Sequence, residues 1–306
     1  MNPETKLTHA QVELICTTHN IPYVSHERIT TGFSHEVHRL NDDLVLKVFN
    51  ATIPKVFNAE LAMLGSNLSF PKPQLIASDD GRLIGRSYII MSYIPGVPLG
   101  TVWHNATDRQ REQLIAALSS ALRTINTLDP DQLGGDNFTS WSDQLRSRGE
   151  ALTRELLADQ KISKEQADRA LHTLKTDSKY LATDKLHSVY WDIHFDNFIV
   201  NDKFELQAII DLENTERAAI DYPVFVIYKQ IDKPHKYLRE DHEQYADKAD
   251  YEKLEGWYRK YYPEMFTFEN QAKRINYYLL LDTLWLCKDW WQGKDVHEDL
   301  ARYTAE

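Results

Sequence analysis

The pair Pro95-Gly96 divides this sequence into two stretches of different periodicity, and that division constrains the fold more than any other feature. Proline removes a backbone donor and glycine accepts angles closed to other residues, so the pair stops a strand. Upstream, an opening helix starts at a Thr8/Gln11 capping box and ends near Asn20-Ile21-Pro22. Candidate strands follow at 23–30, 36–40 and 44–49, joined by turns at 31–35 and 41–43. Val56, Ala59, Met63 and Leu64 then recur at helical spacing, with Pro54 tolerated in a first turn. Two more strands, 74–78 and 83–94, flank Asp79-Asp80-Gly81-Arg82.

Downstream the pattern turns helical. Thr107 and Gln110 form a second capping box, before an apolar face of Leu114, Ala117, Leu118, Ala121, Leu122 and Ile125. Helices are expected at 140–159 and at 163–183, the latter opened by a Ser163/Gln166 box. Residues 189–211 read as extended, with a hairpin around Asn201-Asp202-Lys203. From Asp221 the chain is helical again, with aromatic residues at Trp257, Tyr261, Trp285, Trp290 and Trp291. The order predicts an α+β chain of two lobes: an antiparallel sheet lobe with one inserted helix over 1–94, and a larger, mostly helical lobe over 95–306.

Composition excludes several classes. Cys16 and Cys287 stand at opposite ends of the chain, which rules out a disulfide scaffold or a zinc module. The first twenty residues lack a basic start followed by an apolar run, and the apolar stretch from Tyr277 to Cys287 contains Asp282 and falls short of the roughly 20 residues a membrane span needs. A soluble, cytoplasmic protein with no membrane partner is expected. The net charge of −11 disfavours nucleic acid and anionic lipid and suits a cationic partner, though it serves solubility as well. Oligomeric state is not legible.

The chemistry concentrates in Tyr190-Trp191-Asp192-Ile193-His194-Phe195-Asp196-Asn197 and in Ile209-Ile210-Asp211-Leu212-Glu213 after the hairpin. Phosphoryl transfer requires a carboxylate to orient a hydroxyl and oxygen ligands for the magnesium that bridges phosphates. An aspartate and an asparagine five apart on one loop, with an aspartate after the next strand, supply these groups, at the spacing of a protein-kinase catalytic loop. Read alone, the octapeptide serves equally well as a capped turn with a loop histidine. Lys47 in Val45-Leu46-Lys47-Val48 and Glu60 on the following helix are separately compatible with solvated side chains. Together and in order, they match a lysine held by a helix glutamate.

These residues resemble the aminoglycoside phosphotransferase and choline kinase family of small-molecule kinases. The loop Tyr190–Asn197 is similar to its His-Gly-Asp-x-His-x-x-Asn pattern, Ile210-Asp211-Leu212-Glu213 to its Ile-Asp-Trp-Glu segment, and Tyr88 to Leu99 to its hinge strand. The resemblance spans roughly residues 25–225 and implies a two-lobed, protein-kinase-like fold. It implies that Asp192 orients or deprotonates the acceptor hydroxyl, that Asn197 and Asp211 hold magnesium, and that Lys47, positioned by Glu60, contacts the nucleotide phosphates. Gly32, Phe33, Ser34 and His35 would cover the phosphates, and the backbone of Ser92, Tyr93 and Ile94 would bind the purine of ATP or GTP. His194 would support the loop. Tyr190-Trp191 replaces the family's His-Gly, and the family's Gly-Asp-Pro is reduced to Asp221 in Ile220-Asp221-Tyr222-Pro223, expected to brace the catalytic loop.

For the acceptor, Glu213, Asp289 and Trp290 are the candidate contacts, with Asp282, Glu240, Asp241 and Glu243 as further carboxylates. Carboxylates beside aromatic faces suit amino sugars or a quaternary ammonium; the same residues fit a core or a solvated face. An aminoglycoside is the first expectation. Macrolide, choline, amino-acid or sugar kinases and a catalytically silent binding protein are the alternatives.

Overall fold

The computed structural model describes residues 6–29, 35–50, 54–135, 138, 140–183, 185–239, 241–289 and 294–305. Strands β1 (His26–Ile29), β2 (Glu36–Leu40), β3 (Leu44–Val48), β4 (Leu75–Asp80) and β5 (Ser87–Ser92) form one antiparallel sheet in the order β1-β2-β3-β5-β4. Helix α1 (His9–Thr18) brings Val12, Ile15 and Cys16 against Leu46, Val48, Tyr88 and Ile90. Ile89 and Met91 instead join the main core with Phe57, Met63 and Leu64 of α2 (Pro54–Gly65). Both faces of β5 are therefore covered, which explains its unbroken apolar run. The same two-residue alternation turns Lys47 away from Leu46 and Val48, toward α2.

Beyond Ile94 the chain crosses at Gly96, whose φ of 144° and close approach to the Val200 carbonyl exclude a side chain: a Cβ would lie 2.6 Å from that oxygen. Strand β6 (Val97–Pro98) can thereby pair with β8 (Phe198–Val200), itself paired with β9 (Leu206–Ile209). Strand β7 (His187–Tyr190) pairs with β10 (Thr215–Ala218), which the sequence did not suggest because Thr-Glu-Arg-Ala carries no strand pattern. Around these strands pack α3 (Leu99–Val102), α4 (Asp108–Ile125), α5 (Trp141–Ala158), α6 (Lys164–Asp177), α7 (Val224–Asp232), α8 (Leu254–Tyr261), α9 (Gln271–Asp289) and α10 (Lys294–Tyr303). The capping boxes at Thr8, Thr107 and Ser163 are all formed.

Boundaries shift where side chains compete with the ladder. The first strand starts at His26 because Asn41 takes the amides of Val24 and Ser25 and donates to the Pro22 carbonyl; Thr30 lies outside the described residues. The strand expected from residue 83 starts at Ser87, because Asp79 Oδ1 binds the amides of Gly81 and Leu83 and folds that segment into a turn. Helix α6 gives way after Asp177 to a 3-10 turn. Among the described residues no helix is long and apolar enough to cross a membrane.

Candidate active site

Lys47 of β3 is buried, 2% exposed, with its Nζ 2.6 Å from Glu60, 2.9 Å from Asp211 and 2.8 Å from Glu213. Burial opposes its charge, but Asp211, Glu60 and Glu213 together hold its pKa well above the ordinary lysine value. One ammonium does not compensate three carboxylates equally. Burial lifts Glu60 to about 7 against the pull of Lys47, whereas Glu213, against its own burial, is lowered to about 2 by Lys47 and His35. Asp211 completes the cluster with a half-exposed carboxylate and a left-handed backbone at φ 54°.

The catalytic-loop candidates lie on the connection from β7 to β8. Asp192 Oδ2 accepts from Asn214 Nδ2 at 2.9 Å and from Asn197 Nδ2 at 3.1 Å, and its Oδ1 lies 3.5 Å from His194 Nε2. Burial would raise the Asp192 carboxyl, but the charge and hydrogen bond of His194, with Asn214, bring it below its ordinary value. His194 is raised to about 9: burial opposes its charge, and Asp192 outweighs burial. The Asn197 amide also donates to the Asp192 carbonyl and to the hydroxyl of Tyr190, whose own proton goes to the Ile210 carbonyl. Tyr190 is fully buried, and Trp191 finds room between Tyr222 and Phe225 at ring distances of 6.1 and 6.2 Å.

The structure thus brings together Lys47, Glu60 and Asp211, and separately joins Asp192, His194 and Asn197. The two groups meet where Ile210 donates its amide to the Asn197 carbonyl at 2.9 Å. Asn214 is the residue the sequence reading passed over; a polar side chain three positions after Asp211 was its only signal.

Other placements differ from expectation. Glu213, grouped by sequence with the acceptor, is buried against Lys47 and against His35 Nε2 at 2.8 Å, because the short 3-10 turn after Asp211 folds it toward the sheet. Asp221 does not brace the catalytic loop: it holds Arg274 of α9 at 2.5 and 2.8 Å and accepts from the Tyr278 hydroxyl. Of the hinge amides, those of Ser92 and Tyr93 donate to the carbonyls of Gln74 and Asp43, so of the three amides that of Ile94 is the one left for a purine, beside the carbonyls of the segment. Gly32, Phe33, Ser34, Glu240, Trp290 and the side chain of Asp289 lie outside the described residues. Asp282 is ion-paired with Lys229, and Asp241 with Arg239.

Residues 25–257 match the model of the phosphotransferase enzyme family. Among solved structures, aminoglycoside 2'-phosphotransferase-IIIa in its GDP complex is 14% identical over 96% of this chain and 97% of its own, with a TM-score of 0.67. The gentamicin complex of APH(2")-IIa is 15% identical over 98% and 95%, at 0.68. A thermostable mutant of aminoglycoside phosphotransferase APH(4)-Ia with ADP and hygromycin B is 13% identical over 95% and 97%, at 0.65. These likenesses are of fold, two-lobed and protein-kinase-like. No curated protein sequence matches the chain.

Proposed function

This chain belongs to the phosphotransferase enzyme family, and on that premise we propose that it moves the γ-phosphoryl group of a nucleoside triphosphate to a hydroxyl of a small cationic acceptor, an aminoglycoside in the first instance. It is a phosphotransferase with an alcohol group as acceptor and a nucleotide as donor. The observation that carries the mechanism is the meeting of the Asp192–Asn197 loop with the Lys47–Asp211 cluster at the Ile210–Asn197 hydrogen bond.

Phosphoryl transfer leaves the protein little covalent chemistry, so its contribution is positioning and charge. In our reading Asp192 receives the acceptor hydroxyl, and Asn214 and His194 keep its carboxylate ionised and aimed. Lys47 meets the α- and β-phosphates, held at the right depth by Glu60. His35, with Gly32, Phe33 and Ser34, covers the phosphates, and Ile94 contributes its amide to the base. The division into a nucleotide lobe over 1–94 and a catalytic lobe over 95–306 follows the same reading.

The donors suit magnesium: an amide oxygen on Asn197 and a carboxylate on Asp211, beside more negative charge than Lys47 offsets. Magnesium is commonly held by one or two carboxylates together with phosphate and water. When bound, it would neutralise charge on the β- and γ-phosphates.

Support for an aminoglycoside comes from the net charge of −11 and from neighbours solved with gentamicin and hygromycin B. One observation favours a second reading. Lys229, Lys233, Lys236 and Arg239 each pair with a carboxylate, respectively Asp282, Asp299, Asp295 and Asp241, which leaves less negative surface for a polycation and favours a smaller metabolite such as choline, an amino acid or a sugar. A coupled assay of nucleoside diphosphate release, with ATP and GTP across aminoglycosides, macrolides, choline and amino sugars and with Asp192→Asn as blank, decides. Acceptor-dependent release lost in the variant is the expected result; nucleotide binding with no turnover on any acceptor would point to a silent binding protein.

A further inference from the structure

We propose that Tyr190 is a positioning residue for metal binding, acting through a hydroxyl that fixes which end of the Asn197 amide faces the phosphate site. The proposal rests on the reading of Asn197 and Asp211 as the metal-holding pair.

The argument is one of hydrogen-bond polarity. A phenol carries a single proton and two lone pairs. Tyr190 lies at the end of β7 with its ring fully buried, and its hydroxyl reaches the Ile210 carbonyl at 3.2 Å and the Asn197 side chain at 2.8 Å. A carbonyl only accepts, so the phenolic proton goes to Ile210 and only lone pairs face Asn197. The NH2 of Asn197 must therefore point at Tyr190, a direction reinforced by the Asp192 carbonyl and carboxylate at 3.0 and 3.1 Å. Its carbonyl oxygen, the one atom of the amide able to ligate a hard cation, is left to face the other way. Ile210 directly precedes Asp211 and returns a backbone bond to the Asn197 carbonyl at 2.9 Å. One hydroxyl thus ties together the loop carrying Asn197 and the strand end carrying Asp211. A side chain that orients a ligand in this way commonly affects metal affinity by about 10–100-fold.

Tyr190→Phe keeps the ring and removes the relay. The experiment is calorimetric titration of the protein with ADP or GDP, whichever the wild type binds more tightly, at a series of magnesium chloride concentrations. It is run on the wild type, Tyr190→Phe, Asn197→Ala and the double variant, with thermal melts confirming folding. The expected result is a magnesium midpoint raised about tenfold or more in Tyr190→Phe, with nucleotide affinity in chelator unchanged and with no further shift when Tyr190→Phe is added to Asn197→Ala. A role in packing alone would lower the melting temperature and leave the midpoint in place, which overturns the proposal. An independent, additive shift in the double variant also overturns it, because Tyr190 would then not act through Asn197. A wild type whose nucleotide affinity ignores magnesium overturns the metal reading and the role of Tyr190 together.

Discussion

The side-chain amide of Asn214 donates to Asp192 Oδ2 at 2.9 Å, joining the catalytic loop to the turn that follows Asp211. The two segments are separated by a hairpin in sequence, so the orientation of Asp192 is set by a residue on the far side of the metal-site candidates. On the proposed role of Asp192, this bond would make Asn214 part of the acceptor-positioning apparatus.

Asn214→Ala leaves Asp192 with Asn197 and His194 as partners. A hydrogen bond to a charged group contributes about 1.5–3 kcal/mol, so kcat should fall roughly 10- to 100-fold while nucleotide affinity stays near wild type. Steady-state kinetics with nucleotide and acceptor varied separately checks this. An equal loss in nucleotide binding would place Asn214 on the donor side instead.

Lys47→Met removes the cation from a buried group of carboxylates. Breaking a buried pair from one side costs about 3–5 kcal/mol, and a clear drop in melting temperature should accompany loss of nucleotide binding. Adding Glu60→Gln should return much of the stability and none of the binding. Thermal unfolding and nucleotide titration on the same samples separate the two effects.

His194 is raised from 6.5 to about 9 by Asp192 against its burial. Its folded value exceeds the unfolded one, so its contribution to stability is complete below pH 6.5 and is lost as pH rises toward 9. The loss is at most one proton's worth, about 1.4 kcal/mol per pH unit. Denaturant unfolding between pH 6.5 and 9.5 should show this decline in the wild type and a flatter profile in His194→Gln; parallel profiles would mean that His194 is not the charged partner of Asp192.

Asp221→Asn tests the placement of that residue on α9. It leaves Arg274 buried without its carboxylate, for a cost of about 3–5 kcal/mol in denaturant unfolding, while the magnesium dependence of nucleotide binding should not move. A shifted magnesium midpoint would return Asp221 to the catalytic loop.

Much of the fold was legible because its signals are local. The capping boxes at Thr8, Thr107 and Ser163 each involve residues three apart, and each formed. The strand Glu36–Leu40, the lysine strand and the helix from Pro54 could be read from alternation and 3.6-residue spacing. Lys47 and Glu60 were legible as a pair because a charged residue within an apolar strand demands a counter-charge and the next helix offered one. The strand ends were less legible, since Asn41 and Asp79 capture amides that propensity alone leaves to the ladder.

The sequence by itself therefore determined which residues were available for chemistry, and their order: a lysine strand, a glutamate helix, the Asp192–Asn197 loop and an aspartate after a hairpin. The tertiary structure decided how those groups share their charge and protons. It turned Glu213 onto Lys47 and His35, gave Asp221 to Arg274, brought Asn214 under Asp192 and set the hydroxyl of Tyr190 between Asn197 and Ile210. The physical reason is one of range. Helix caps and side-chain alternation depend on residues a few positions apart, whereas the partner of a buried charge or hydroxyl is whichever complementary group packing brings within about 3 Å, and no spacing along the chain encodes that.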